Sequence, residues 1–183
     1  SNEYPGGFGE YLALSEQVVQ KVPESMPTET AALMEPLSVG IQYARIANLQ
    51  EGEVPLIVGC GAIGLAVVAA LKAQGVGPVI ASDPSPFRRK SAENMGADVV
   101  VDPNAENPMD IWATSVPVGS RCVVVECVGA PGVLNEILIT APWSSRIIVA
   151  GQNLDDDVLF TASAHTKGIN VQFGGSPIGD DYT

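Results

Sequence analysis

Between Val54 and Asp83 the chain sets three glycines and one acid at a spacing suited to a phosphate-bearing ligand. Val54-Pro55-Leu56-Ile57-Val58 leads into Gly59-Cys60-Gly61-Ala62-Ile63-Gly64, an apolar stretch runs on to Lys72, and Val79-Ile80-Ala81-Ser82 ends on Asp83. A β-branched run, Gly-x-Gly-x-x-Gly, a helical segment, a second apolar run and an acid form the fingerprint of dinucleotide binding. Gly59 permits a tight turn, Gly61 lacks the Cβ that would hold a pyrophosphate off the backbone, and Gly64 lets the next helix lie close to the sheet. That helix, starting at Ala62 and Ile63, offers unpaired N–H groups and a positive dipole end to phosphate charge. Asp83 lies 19 residues past Gly64, where a carboxylate accepts both ribose hydroxyls of an adenosine. Its charge would repel a 2′-phosphate and so favours NAD over NADP, although the basic pair Arg88-Arg89 can tolerate that phosphate.

Other residue types capable of chemistry carry less. Glu35, before Pro36 in a helical stretch, reads as a capping or solvent-facing acid. His165, the only histidine, lies beside Thr166-Lys167 and reads as a polar loop residue. Tyr11 and Tyr43 lack a lysine four residues on, so the short-chain dehydrogenase pairing of tyrosine and lysine is absent. Asp155-Asp156-Asp157 reads as a solvated loop. Cys60, Cys122 and Cys127 make no Cys-x-x-Cys pair, and the odd spacing of the last two points them to opposite faces of a strand. No disulfide framework is expected, which fits a reducing cytoplasm. Cys60 fills an x position of the glycine turn with a small side chain.

These residues need a scaffold, and 183 residues suffice for one domain with a real core. Hydrophobic residues at 46% against 16% charged exclude disorder. Nine basic residues against 21 acidic, a net charge of −12, disfavour nucleic acid, because a phosphate backbone would be repelled. A nucleotide can still bind, since its phosphates sense local dipoles. No apolar run is long enough to cross a membrane, and the start shows no signal-peptide layout. Ser1-Asn2 reads as a cloning remnant.

Residues 3–24 read as extended segments, followed by a helix from about Thr28 to Asn48 interrupted at Glu35-Pro36, where proline removes a donor. Then strands and helices alternate. Strands are expected at Val54–Val58, Val79–Ser82, Val99–Val101, Arg121–Cys127, Arg146–Ala150 and Ile169–Phe173. Helices are expected at Ala62–Gln74, Ser85–Met95 with Gly96 as C-cap, Pro108–Ser115 and Pro131–Thr140, with a loop and a run around Val158–Thr161 before the last strand. Six strands apolar throughout, alternating with helices, imply an α/β fold: a doubly wound parallel sheet in the order 3-2-1-4-5-6, covered on both faces. Ligands of such a sheet sit beyond the carboxyl ends of the strands, so the loops 59–64, 83–88, 127–132 and 150–152 are the expected pocket wall.

The order of several segments resembles that of medium-chain dehydrogenases. They are Gly6-Gly7-Phe8-Gly9-Glu10-Tyr11, Ala32-Leu33-Met34-Glu35-Pro36-Leu37-Ser38-Val39-Gly40, the glycine loop, Ser82-Asp83, Met95-Gly96-Ala97-Asp98, Glu126-Cys127-Val128-Gly129 and Arg146-Ile147-Ile148-Val149-Ala150-Gly151. The Glu-Pro-Leu-Ser-Val form looks most like the zinc-dependent sorbitol, threonine and glucose dehydrogenase branch. The resemblance implies NAD-dependent oxidation of a secondary alcohol or polyol at a catalytic zinc, on a Rossmann fold. It implies that Gly59, Gly61, Ile63 and Gly64 meet the pyrophosphate, with Ile63 behind the nicotinamide, and that Asp83 holds the adenosine ribose with Arg88 along the adenine. Val128 and Gly129 would border the nicotinamide ribose, Val149, Ala150 and Gly151 the carboxamide, and Glu35 would lie at or beside the zinc.

Family members carry an amino-terminal catalytic domain that supplies a cysteine, a histidine and usually another acid to the metal, and they run on past the sixth strand. The chain is therefore expected to be a cofactor domain cut from a longer enzyme: residues 1–27 an extended remnant of the catalytic domain, residues 28–183 the dinucleotide-binding domain, truncated at its end. Such a piece would bind NAD and catalyse nothing alone. A homo-oligomer, dimer or tetramer, is expected because the sixth strand leaves a sheet edge open. Two alternatives stand beside this reading: a zinc-free quinone or enoyl reductase of the same superfamily, and a non-catalytic nucleotide-binding module. A methyltransferase shares the glycine turn and the acid but usually lacks the full glycine pattern.

Overall fold

The computed structural model describes residues 7, 9–16 and 19–175. The chain divides into two compact units, Ser1–Met34 and Glu35–Thr183. In the first, the described residues form no strand, and a single turn of helix, α1 (Thr28–Ala31), follows Pro27. Positions 3–6, 8, 17 and 18 of the expected extended segments lie outside the described residues.

The long helix expected over 28–48 breaks earlier than its proline. α1 stops at Ala31 and α2 (Met34–Ala47) begins three residues on, with Glu35 and Pro36 inside its first turn. A proline ring clashes with the carbonyl four residues before it, here Ala32, so the helix cannot run through that residue. At the start of a new helix the missing N–H removes no bond.

The second unit is built on a six-stranded sheet. Its strands are β1 (Glu53–Val58), β2 (Ile80–Ser82), β3 (Val99–Val101), β4 (Arg121–Glu126), β5 (Arg146–Val149) and β6 (Asn170–Phe173). All neighbours pair in parallel, in the order β3-β2-β1-β4-β5-β6. The connections are α3 (Ala62–Ala73), α4 (Pro86–Asn94), α5 (Pro108–Ser115), α6 (Val133–Thr140) and α7 (Thr161–Lys167). Ser85 caps α4, accepting from the Arg88 N–H at 3.4 Å, and Asn107 caps α5, accepting from the Met109 N–H at 2.8 Å.

Strand alternation divides the core. Ile57, Val123, Val125 and Ile148 pack with Tyr43 and Ala44 of α2 and with Val67, Val68 and Leu71 of α3. Val54, Leu56, Val124 and Ile147 pack with Met109 and Trp112 of α5 and with Leu134, Ile137 and Leu138 of α6. Cys122 belongs to the second cluster and Cys127 packs against the first, the opposite orientations that their spacing requires. Where α2 meets α3, a Cβ on Gly40 would fall onto the Cβ and carbonyl of Ala66, so the two backbones touch.

Three local readings change. α6 starts at Val133 rather than Pro131, because Gly132 takes a left-handed φ of +83° as its N-cap. β4 ends at Glu126, one residue early, because the Glu126 carboxylate gathers the next N–H groups into a turn. His165 is exposed on α7, which forms where a loop was expected; Gly168 ends that helix at φ +63°. Among the described residues no helix is long and apolar enough to cross a membrane.

Candidate functional site

Where β1 ends, Gly59 turns the chain at φ +92° and donates its N–H to Ser82 O at 2.8 Å, tying the turn to the end of β2. A Cβ on Gly59 would press on Val128 Cγ2 at 2.7 Å, and one on Gly64 would fall onto the Gly59 carbonyl. Gly64 is thus what brings α3 down onto its own turn. Gly61 differs: it is the N-cap of α3, has an ordinary φ of −71°, and a Cβ there would meet nothing within 4 Å. No side chain caps α3 and no acid occupies its first turn, so its leading N–H groups carry their partial positive charge toward open space.

Asp83 lies at the mouth of this turn. It is 2% exposed; Oδ2 accepts the Cys60 N–H at 2.8 Å and Oδ1 accepts the Ser85 N–H at 2.8 Å. A carboxylate has about four lone-pair sites, so these two bonds fix its position and leave acceptor capacity. Arg88, half exposed, approaches Oδ2 at 3.8 Å. Arg89 is turned elsewhere, donating to the carbonyls of Asp83 at 2.8 Å and Pro84 at 2.9 Å and pairing with Asp102 at 3.0 Å.

Two cavities open beyond the strand ends, divided by Cys127 and Val128, which line both. One of about 570 Å³ takes Gly59, Gly61, Asp83, Pro84 and Arg88 on one side and Asn107, Met109 and Val133 on the other. The second, of about 680 Å³, takes Glu35, Val39, Tyr43 and Ile63 together with Gly129, Val149, Ala150 and Gly151. Every residue assigned from sequence to the cofactor or the metal therefore lines one cavity or the other except Ala62, exposed at the start of α3, and Gly64, buried beneath Gly59.

Glu126 and Val39 are wall residues to which the sequence reading gave no role, and Tyr43, considered there only for a tyrosine–lysine pairing, lines the same wall. Glu126 is 2% exposed at the end of β4, and its Oε1 accepts N–H bonds from Val128 at 2.6 Å and Gly129 at 2.9 Å. Its main-chain oxygen accepts the N–H groups of Ala150 and Gly151, both at 2.8 Å. One residue thus ties together the two loops that wall the larger cavity. A Cβ on Gly129 would meet Gln152 N at 2.6 Å, and one on Gly151 would fall onto Gly129, so the loops cross backbone to backbone. An acid inside an otherwise apolar strand was the available signal.

The thiols are held out of ionic chemistry. Burial, then the Asp83 charge, pushes Cys60 from 9.0 up to about 12 against the lowering effect of Arg88 and Arg89. Burial pushes Cys122 up to about 12 as well, and it raises Cys127, helped by Glu126 and Cys60. Burial also raises the Tyr43 phenol, with Cys127 adding to it.

The open approach at Gly61, the uncapped start of α3 and the spare acceptor sites of Asp83 fit a dinucleotide. A zinc ion does not find its donors here. Among the described residues no three of His, Cys, Asp and Glu are grouped to hold a metal, Glu35 stands exposed without companions of that kind, and His165 is out on α7.

A doubly wound parallel sheet with a glycine elbow and a buried acid facing it defines a dinucleotide-binding domain of the dehydrogenase type. Residues 62–180 match the family model described as zinc-binding dehydrogenase, and the chain belongs to that family. It is 35% identical over 144 residues to (R,R)-butanediol dehydrogenase of Bacillus subtilis, covering 79% of this chain and 41% of that protein. It is 37% identical over 146 residues to L-threonine 3-dehydrogenase of Thermococcus kodakarensis, covering 80% and 41%. Galactitol-1-phosphate dehydrogenase of Escherichia coli has the same fold, with a TM-score of 0.81 at 24% identity over 97% of this chain and 54% of that one. The chain spans about two fifths of the length of the curated relatives it matches.

Proposed function

We propose that this chain is the NAD-binding domain of a medium-chain alcohol or polyol dehydrogenase, residues 28–183 forming that domain and the residues before it belonging to the catalytic part. The observation that carries the reading is the elbow itself: Gly61 open to an approaching phosphate, with Asp83 held 2.8 Å from the neighbouring Cys60 N–H. Bound NAD would accept a hydride from the carbinol carbon of a secondary alcohol, chemistry that belongs to the cofactor. Gly59, Gly61, Ala62, Ile63 and Gly64 form the elbow for the pyrophosphate, and Asp83 accepts from the adenosine ribose with Arg88 beside the adenine. Val128, Gly129, Val149, Ala150 and Gly151 form the wall that orients the nicotinamide and keeps water from its buried face. Glu35 lines the same cavity and stands exposed at its edge.

Titration of the chain with NAD, NADP and S-adenosylmethionine tests this. NAD should bind tightest, and tighter binding of S-adenosylmethionine would refute the dehydrogenase reading. We also propose that β6 pairs with a second copy, because all four of its residues are exposed, Phe173 at 67%, and no strand lies on its outer side among the described residues. A chain that sediments only as monomer at high concentration would refute the pairing. Three free cysteines support a reducing compartment such as the cytoplasm.

A further inference from the structure

The cavity beside Asp83 is bordered by two turns that one side chain joins. Asp83-Pro84 follows β2, and Asp102-Pro103-Asn104 follows β3; Asp83, Pro84, Pro103 and Asn104 all line the cavity. Arg89, on the first turn of α4, reaches across between them. Its Nη1 donates to Asp83 O and Pro84 O at 2.8 and 2.9 Å and lies 3.0 Å from Asp102 Oδ2. Asp102 Oδ1 in turn accepts the Asn104 N–H at 3.0 Å. Arg89 and Asp102 are 20% and 32% exposed, far less than Arg88 at 56%, and neither lines the cavity.

The charges have a consequence for a ligand. Asp83 and Arg88, on the cavity wall, form one loose pair, and Arg89 and Asp102, just behind it, a closer one, so two positive and two negative side chains lie at or behind this end of the cavity. The guanidinium nearest the Asp83 main chain is neutralised and turned away. We infer that the Arg89–Asp102 pair is a specificity determinant: by neutralising Arg89, Asp102 denies a cationic partner to a phosphate on the adenosine ribose and keeps the site selective for NAD. Asp102 acts through Arg89, without touching the ligand. The inference rests on the NAD-binding reading of this cavity and extends it to a pair of residues outside the acid and glycines that define the fingerprint.

The pair makes two substitutions act in opposite directions. Asp102→Asn keeps an acceptor for the Asn104 N–H but releases one uncompensated positive charge toward the ribose. Arg89→Met leaves Asp102 unpaired and negative. The 183-residue chain and both variants are titrated with NADH and NADPH, following the change in dihydronicotinamide fluorescence, with a thermal melt to compare folding. Asp102→Asn should move the ratio of affinities about tenfold toward NADPH and Arg89→Met about tenfold toward NADH, the effect of one charge on a dianion at the edge of solvent. Either variant decides the matter if the other does not fold. Equal weakening toward both cofactors would mean that the pair merely holds the turns, and it would overturn the inference, as would an unchanged ratio. Wild-type chain that binds NADH with an unmoved ratio in the variants refutes this inference alone; wild-type chain that binds neither cofactor refutes the NAD reading and the inference with it.

Discussion

Removing the Glu126 carboxylate tests whether one buried acid holds the wall of the larger cavity. In Glu126→Ala the N–H groups of Val128 and Gly129, now bonded at 2.6 and 2.9 Å, lose a charged acceptor at a residue that is 2% exposed. Both bonds are half-buried, so each donor left without a partner costs toward the lower end of about 1–3 kcal/mol and the pair about 2–3 kcal/mol. That is a large share of the roughly 5–15 kcal/mol that holds a domain together. Glu126→Gln keeps one carbonyl acceptor and forfeits the charge, so about 1–2 kcal/mol should be lost. Urea denaturation followed by circular dichroism measures both, and NADH titration should show weaker binding in the Gln variant while the fold persists. A loss below about 1 kcal/mol for Glu126→Ala would refute the reasoning, since the loop would then hold its shape by itself.

Two further substitutions separate neighbours in the elbow. Gly61→Ala adds a methyl that meets nothing, so stability should change by less than about 1 kcal/mol while NADH affinity falls about tenfold or more. Gly64→Ala drives a methyl into the Gly59 carbonyl and should cost about 3 kcal/mol or more, read by urea denaturation. Equal behaviour of the two would contradict the geometry. The thiols predict a pH profile: Cys60 and Cys122 ionise near 9.0 when unfolded and near 12 when folded, so above pH 9 the unfolded chain sheds protons that the folded chain keeps. Their contribution is full below pH 9 and falls by about 1.4 kcal/mol per pH unit for each thiol up to about pH 12. Denaturation midpoints at pH 7, 9 and 10.5 should therefore be nearly flat between the first two for these groups and lower at the third, and Cys122→Ala should make the alkaline fall shallower while Cys60 and Cys127 keep the rest of it.

Strand order was legible because β1 to β5 are short, mainly apolar runs closed by turn residues, and a parallel sheet buries such runs on both faces; β6, expected to be covered like the rest, is instead an exposed edge. The elbow was legible because its glycines stand between a strand and a helix with an acid at the right distance beyond them. Less visible were features that depend on what comes from elsewhere in the chain. The break before Pro36 arises from a clash four residues back, α7 from a seven-residue stretch with no apolar period, and the early end of β4 from a side chain folding onto its own loop. Arg88 and Arg89 look interchangeable as letters. Only the position of Asp102, 13 residues after Arg89, separates an exposed cation from one held by three acceptors.

The bare contact between Gly40 and Ala66 works as a ruler. α2 carries Glu35 at its first turn, α3 begins at the glycine elbow, and with only the Ala66 methyl between the rods neither can slide outward by the width of a methyl group without opening a void. Any lineage that enlarged one partner would have to shrink or shift the other in the same step. The rim acid and the elbow are thereby registered to each other by a helix–helix contact that itself lines neither cavity.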